Sequence, residues 1–153
     1  MGIFHSLNTT ASALTAQRLR MDVISSNLAN VDTTRGRMVN GEWQPYRRKT
    51  VTLQPKGTQF SSMLQMAIGK TRSGDVGNGV QISRISEDTE TPFKSVYDPS
   101  HPDANAQGYV QMPNVDPLRE MVNLMSATRS YEANVTVFNA NKSMLMKALE
   151  IGK

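Results

Sequence analysis

The sequence predicts a mainly α-helical protein with a small β-rich insert, in which long N-terminal and C-terminal helices pair as an antiparallel, coiled-coil-like domain. Two observations support this fold class. Apolar residues recur every seven positions at both ends of the chain, and strand and turn residues are concentrated between them. The 153 residues then divide into an N-terminal helix at 1–36, a β-rich and irregular region at 37–113, and a C-terminal helix at 114–153.

The N-terminal helix is predicted over Phe4–Val31, a stretch without glycine or proline. Its heptad positions are Leu7, Leu14, Met21 and Leu28, and the companion positions are Phe4, Ala11, Ile24 and Val31. These residues lie on one face of a helix about 40 Å long, at 1.5 Å per residue. Polar residues and a glycine between Asn30 and Gly36 provide the turn chemistry that ends it.

The C-terminal helix is predicted over Asp116–Ile151, with Asp116 as its cap and Pro117 at its first position. Its heptad positions are Leu124, Tyr131, Phe138 and Leu145, and the companion positions are Met121, Thr128, Val135, Lys142 and Leu149. Thr128 and Lys142 interrupt the apolar seam, which argues against an ideal two-stranded coiled coil. Gly152 is expected to stop a helix about 54 Å long, too long for a core of this size to cover.

The central region is predicted to be extended and irregular. Strands are expected at Arg47–Leu53, Val80–Ile85 and Tyr109–Met112. The glycine-rich stretch 54–79 is predicted to be a mobile loop that holds one short amphipathic helix, Phe60–Ile68. Two prolines and two aspartates in Asp98–Asp103 indicate consecutive turns.

The heptad pattern places an apolar face on each helix but does not say what covers it. If the helices pair within one subunit, apolar residues still remain on the outer side of the pair. Burial of apolar surface is worth about 25 cal/mol per Å², which favours packing against neighbouring copies. A repeated contact of that kind that does not close produces a helical assembly. Periodicity alone does not decide between this assembly and a closed monomeric bundle.

Composition restricts the classes of function. Cysteine is absent, so disulfides, thiolate metal sites and a cysteine nucleophile are excluded. No segment approaches the roughly 20 apolar residues that span a bilayer, and the first residues lack the pattern of a cleaved signal peptide. The net charge is +4, but its densest run is only Arg47, Arg48 and Lys49, which fits either phosphate contact or the solvent side of a strand. We therefore expect no membrane insertion and no nucleic-acid partner, whose binding would be steeply salt-dependent.

Candidate catalytic and metal-binding residues are few. The only histidines are His5 and His101, and a metal site built from His101, Asp98 and Asp103 competes with the simpler interpretation of a solvated turn. The sequence contains no phosphate-binding loop, nucleophile elbow or carboxylate pair suited to muramidase chemistry. We expect no catalytic residue, no metal and no cofactor.

Two segments carry a resemblance to a known family. Ser26–Asn30, followed by Thr33 and Gly36, resembles the N-terminal signature of the flagellar rod and hook axial proteins. Glu120–Asn123 with Ser126–Asn134 resembles their C-terminal signature. Three further segments are similar to one proximal-rod member of that family: Pro45–Lys49, Pro92–Pro99 and Gly108–Val115. The resemblance covers nearly the whole chain except 54–79, which looks like an insertion.

The resemblance implies a structural subunit of the proximal rod in the flagellar basal body. Its partners would be other copies of itself and other rod proteins, which polymerise into the hollow drive shaft that transmits torque from motor to hook and carries the export channel. The type III export apparatus would pass the chain into the periplasmic space without a cleaved signal peptide, and the basal-body rings are further candidate partners. The alternative from a different class is a soluble helical chaperone or secretion-associated binding module.

The resemblance also implies a set of interface and signature residues. They are Leu14, Met21, Asn27, Leu28, Ala29, Asn30, Met121, Leu124, Tyr131, Glu132, Asn134, Phe138 and Leu145. Asn27, Ala29 and Asn30 would end and orient the first helix, with a simple C-cap as the alternative. Tyr131 would point into the seam, leaving Glu132 and Asn134 free to pair across subunits. For Phe138 and Leu145, the core of the subunit itself is the simpler explanation.

Overall fold

The computed structural model describes residues 3–56, 68 and 78–151. Two helices begin and end the described chain, α1 at Ile3–Ala29 and α2 at Pro117–Ile151. Between them, the described residues form six short strands. They are β1 (Arg37–Val39), β2 (Glu42–Gln44), β3 (Lys49–Pro55), β4 (Val80–Glu87), β5 (Lys94–Tyr97) and β6 (Tyr109–Met112). Two terminal helices with a β-rich region between them confirm the coarse fold class.

The helix ends follow from local chemistry. The Oδ1 atom of Asp116 accepts a hydrogen bond from the Leu118 amide at 3.1 Å, so Asp116 is the N-cap and Pro117 the first helical residue, as predicted. At the end of α1, the Asn30 amide Nδ2 donates to the Ser26 carbonyl at 2.8 Å. Asn30 therefore satisfies a carbonyl of the last helical turn, as in the simple C-cap interpretation. The predicted end at Val31 is two residues too late.

The strands form three two-stranded sheets, β1 with β2, β3 with β4, and β5 with β6. The three predicted strands correspond to β3, β4 and β6. The hairpin β1–β2 and strand β5 were not predicted. In that hairpin Asn40 and Gly41 have φ angles of 53° and 88°, which is the signature of a tight type I′ turn. The Asn-Gly pair is the signal that would have found it.

The root of the β1–β2 hairpin is held by backbone contacts. Gly36 donates its amide to the Gln44 carbonyl at 2.8 Å, and the Tyr46 amide donates to the Thr33 carbonyl at 3.0 Å. A Cβ atom at Gly36 would lie 2.6 Å from the Tyr46 nitrogen, so only glycine fits there. The glycine of the N-terminal signature thus allows two backbone segments to approach closely.

The predicted turns at Asp98–Asp103 are confirmed. The Oδ1 atom of Asp98 accepts bonds from the Ser100 amide at 3.1 Å and hydroxyl at 2.7 Å, and the His101 amide donates to the Asp98 carbonyl at 3.3 Å. Residues 57–67, 69–77 and 152–153 lie outside the described chain, and with them the short helix predicted at Phe60–Ile68, most of the insertion predicted at 54–79, and Gly152.

The chain divides into two compact units. The first unit takes its described residues from Met1–Leu19, Thr52–Arg84 and Ala127–Lys153; its buried residues include Thr10, Ala16 and Ala127. The second unit consists of Arg20–Val51 and Ile85–Ser126. Its buried residues include Val23, Ile24, Asn27, Val110, Pro113, Asn114, Val115 and Glu120. Among the described residues, no helix is long and apolar enough to cross a membrane.

Candidate functional site

Asn27, in the N-terminal signature, is 1% exposed and lies at the centre of the second unit. Its Oδ1 atom accepts bonds from the Lys49 amide at 2.8 Å and the Tyr46 hydroxyl at 3.0 Å. Its Nδ2 atom donates to the Lys49 carbonyl at 2.8 Å and to Glu120 Oε2 at 3.1 Å. The side-chain amide thus pairs with both backbone groups of Lys49, as a neighbouring strand would, and every donor and acceptor it has is used.

Glu120, in the C-terminal signature, is also 1% exposed. Its Oε1 atom accepts bonds from Arg48 Nε at 2.9 Å and from Arg48 Nη2 at 2.8 Å. Its Oε2 atom accepts from Asn27. A buried carboxylate is tolerated only when it is paired and hydrogen-bonded, and both conditions are met. Because Asn27 belongs to α1 and Glu120 to α2, the bond between them joins the two signature segments.

Asn114 extends this arrangement to the loops. Its Oδ1 atom accepts a bond from the Arg48 amide at 2.8 Å, and its Nδ2 atom donates to the carbonyls of Asp88 at 3.0 Å and Thr91 at 3.1 Å. We call the group formed by Asn27, Arg48, Asn114 and Glu120 the junction network. It connects the end of α1, the start of β3, the loop after β4 and the first turn of α2 within one unit.

Asp88 borders the junction network. Its carboxylate accepts bonds from the Thr91 amide at 3.0 Å and hydroxyl at 2.9 Å, and Arg48 Nη1 lies 3.7 Å from it. The Thr91 donors, followed by the Glu90 amide and the Arg48 charge, lower the pKa of Asp88 below its usual value. The carboxylate therefore stays ionised beside Arg48.

The basic run Arg47–Lys49 does not form a free cationic patch. The Arg48 side chain is only 18% exposed and is paired with Glu120. The Arg47 guanidinium lies 4.4 Å from the centre of the Phe93 ring, and the Lys49 ammonium lies 5.7 Å from that of Tyr46. The sequence left two interpretations open, phosphate contact or the solvent side of a strand. Neither describes Arg48, because its guanidinium is paired with Glu120 inside the subunit.

The loop that carries His101 is held by a bond of its own and by two side chains from the segment that follows α1. Asp103 accepts bonds from Arg35 Nε and from the Thr34 hydroxyl, both at 2.7 Å, and these donors lower its pKa. His101 Nδ1 accepts a bond from the Asp103 amide at 3.1 Å. Within the described ranges, no group of three histidine, aspartate or glutamate side chains is placed to hold a metal ion.

The interface residues predicted in α1 have mixed exposure. Leu14, Met21 and Leu28, which share the heptad seam, are half-buried, and Ala29 is exposed. Asn30 is half-buried, and its Oδ1 atom accepts a bond from the Thr33 hydroxyl at 3.2 Å. Asn27 and Asn30 thus differ in role, because the first joins two elements and the second only closes its own helix.

The interface residues predicted in α2 follow the same pattern. The heptad positions Leu124, Tyr131, Phe138 and Leu145 are all half-buried, while Met121 and Glu132 are exposed. Asn134 is half-buried and donates its Nδ2 hydrogen to the Ser130 carbonyl at 2.8 Å. One amide hydrogen of Asn134 is therefore used within its own helix, because a short amide side chain readily bonds the preceding helical turn, and pairing of Asn134 across subunits stays a prediction.

Helix α2 also exposes many large apolar side chains. In the second unit they are Leu118, Met121, Val122 and Met125, which are between 42% and 72% exposed. In the first unit they are Val137, Met144, Met146, Leu149 and Ile151. The spacing i, i+3, i+4, i+7 places the first four on one helix face. Exposed apolar faces of this size are typical of interaction surfaces.

Three residues of the junction network were missed as site residues by sequence reasoning. In the sequence, Arg48 stands out only as part of a basic run, Asn114 as part of a resembling segment, and Glu120 as the first residue of a signature. The sequence did offer one signal. Asn27 in the first signature has an amide donor, and Glu120 in the second has a carboxylate that can accept its hydrogen bond. Nothing in the hydrophobic periodicity indicates that these polar residues are buried together.

Comparison with known proteins identifies the family. The model of the family described as "Flagella basal body rod protein" matches residues 7–36. The model described as "Flagellar basal body rod FlgEFG protein C-terminal" matches residues 106–151. Both regions contain the signature segments quoted from the sequence.

Relatives that match over nearly their whole length support the same family. The chain is 68% identical to the flagellar basal-body rod protein FlgC of Bacillus subtilis, with 100% of both chains covered. It is 43% identical to FlgC of Borreliella burgdorferi over 99% of this chain and 98% of the relative, and 42% identical to FlgC of Escherichia coli O157:H7 over 100% of both. The resemblance drawn from the signature segments is thereby confirmed, as is the expectation of a structural protein without enzymatic activity. The chain belongs to the FlgC family of flagellar basal-body rod proteins, which are structural rod subunits.

Proposed function

We propose that this chain is a subunit of the proximal rod, which polymerises with its own copies and with other rod proteins into the hollow drive shaft that transmits torque to the hook and carries the export channel. The observation that supports polymerisation is the large set of exposed apolar side chains on α2. Burying them is worth about 25 cal/mol per Å², and neighbouring subunits in a rod would supply the cover.

The two helices form the rod-core domain in this proposal, with residues 1–36 and 114–153 paired as an antiparallel, coiled-coil-like unit and 37–113 as an insert. The half-buried heptad residues of both helices are compatible with such a seam. The proposed subunit-interface residues are the set derived from the resemblance, from Leu14 to Leu145, with Asn27 reassigned to hold the two signature segments together.

The chain reaches its place by the type III export apparatus, without a cleaved signal peptide, and works in the part of the basal body that crosses the periplasmic space. The surrounding rings are further partners of the assembled rod. The absence of cysteine fits this route. A chain that arrives unfolded in an oxidising compartment cannot be trapped by a wrong disulfide if it has no cysteine.

The test is deletion of the gene followed by complementation with Tyr131→Asp. The deletion strain should lack a completed rod and hook, as seen in isolated basal bodies. The variant should be exported but not assembled, because a carboxylate at a half-buried seam position is costly without a partner.

Tyr131→Phe is the matched control, since it keeps the ring and loses only the hydroxyl; it should restore swimming. Normal swimming of the deletion strain would overturn the proposed function. A rod that incorporates Tyr131→Asp at the normal level would remove Tyr131 from the interface.

A further inference from the structure

The β1–β2 hairpin carries an apolar surface that the second unit leaves uncovered. Met38 and Trp43 are cross-strand partners, so their side chains share one face of the hairpin. They are 58% and 53% exposed. Trp43 is the only tryptophan in the chain. Tryptophan is the residue type most often found as a binding hot spot, and an isolated two-stranded hairpin has no core that requires it.

The hairpin is rooted firmly enough to present this face. The Asn40-Gly41 turn closes its tip, while at its base Arg37 Nη1 lies 3.3 Å from Glu87 Oε2 and the Gly36 amide bonds the Gln44 carbonyl. A surface fixed in advance loses little conformational entropy on binding. We call the face formed by Met38 and Trp43 the hairpin knob.

The same unit exposes a surface of matching chemistry on α2. We call the face formed by Leu118, Met121, Val122 and Met125 the α2 face. Methionine side chains are flexible and make favourable sulfur contacts with aromatic rings, which suits an indole. Arg119 flanks this face, is exposed, and forms no ion pair within the described part of the chain. An unpaired guanidinium beside an apolar face is attracted to the electron-rich face of a tryptophan.

We propose that the hairpin knob of one subunit docks on the α2 face of the next copy of this chain, with Arg119 against the Trp43 ring. The knob and the α2 face are different surfaces of one molecule, so the contact can be heterologous and pass from each subunit to the next, as a rod requires. The inference rests on the proposed function, because it names the surfaces through which copies meet in the rod.

The natural absence of cysteine makes a direct test possible in motile cells. The full chain carrying Met38→Cys and Val122→Cys replaces the native one, the cells are oxidised, and the chain is examined on a non-reducing gel. A ladder of dimers and higher multiples is expected. The matched control carries Val39→Cys with Val122→Cys; Val39 is one residue further along the strand and faces the other side, so the ladder should be lost.

Two outcomes of this experiment overturn the inference. One is the monomer alone in cells that swim, which leaves the proposed function intact and removes this contact. The other is a cross-link of Met38→Cys to a protein of different mass, which means that another protein occupies the knob. If the deletion strain swims, the proposed function fails by itself.

A spectroscopic readout keeps the inference falsifiable if the cysteine variants fold poorly. In the purified full chain, the emission of Trp43 should shift to the blue by several nanometres as the protein associates, and its quenching by acrylamide should fall severalfold. Val122→Asp should abolish the shift although Trp43 is untouched, and Arg119→Glu should reduce it. Val96→Asp, the same change at another exposed valine of the second unit, should leave it unchanged. Association measured by light scattering without any change in Trp43 emission overturns the contact.

Discussion

Asn27 and Glu120 show how two polar side chains can hold a subunit together. Each is almost fully buried, and each uses its hydrogen-bonding groups on partners from a different element. A satisfied buried network adds modest net stability, but removal of one member leaves the others unpaired, and that is costly. The effect of a substitution here therefore depends on what it leaves behind.

Asn27→Asp tests this at the scale of one atom. The change replaces the Nδ2 donor by an oxygen, which faces the Lys49 carbonyl and a second carboxylate, Glu120. We expect the free energy of unfolding to fall by about 3 kcal/mol, since a buried donor is lost and two like charges meet. Urea unfolding of the purified full chain measures it.

The control for that change is Asn139→Asp on the exposed surface of α2, which should alter the free energy of unfolding by less than about 0.5 kcal/mol. If Asn27→Asp is as mild as this control, the junction network does not hold the second unit together.

The loop between β5 and β6 is stabilised by its own side chains and by two side chains from the segment that joins α1 to β1. Asp98 and Asp103 each accept bonds from nearby donors, the Ser100 hydroxyl and amide for the first and Arg35 and Thr34 for the second. These donors lower the pKa of both carboxyls. Gly108, with φ of 81°, closes the loop in a conformation that favours glycine, and Tyr97 packs edge-on against Tyr109 at 5.2 Å.

The lowered pKa values predict how this unit responds to acid. A carboxyl whose pKa is lower in the folded state contributes stability that is fully present above the unfolded value of about 3.9 and is lost as the pH falls through the folded value. Asp88, Asp98 and Asp103 all have this sign. We expect the urea midpoint to be nearly constant from pH 7 to about pH 5 and to fall below about pH 4.

Asp103→Asn makes the acid prediction specific to the loop. The amide cannot titrate, so the variant should be less stable than the native chain at pH 7 and should lose less stability between pH 5 and pH 3. Parallel curves for both proteins would show that Asp103 is not one of the groups responsible.

At the scale of the whole molecule, the two units differ in how their apolar residues are covered. The second unit buries Val110, Val115 and the junction network. In the first unit, the described part of α2 exposes Val137, Met144, Leu149 and other large side chains. Segments with few buried apolar contacts open at low free-energy cost.

Amide exchange of the free subunit should reveal this difference. Amides of Ile24–Asn27 and of Leu124–Ser126, in the second unit, should exchange far more slowly than those of Met144–Ile151. Assembly into rods should slow exchange in the second group much more than in the first. Strong protection of Met144–Ile151 in a stable monomer would contradict both this prediction and the need for neighbouring subunits, and would favour a self-contained chaperone-like protein.

Sequence reasoning reached the helices, most strands and the turns because their signals are local. Heptad spacing, the cap at Asp116 with Pro117, and the aspartate and proline turns each involve residues a few positions apart. The β1–β2 hairpin was missed although Asn40-Gly41 signals it locally, and β5 lacks a strong signal because its residues are exposed on both faces. The family was also accessible from sequence, through the two signatures.

The sequence by itself therefore determined the two terminal helices, the start of α2 and the family, because each depends on short-range patterns. Only the tertiary structure decided that Asn27 meets Glu120 across 93 residues, that Arg48 is neutralised inside the subunit, and that Trp43 faces outward. The physical reason is that periodicity reports which face of an element is apolar. It contains no information on which distant polar group will complete a buried hydrogen bond.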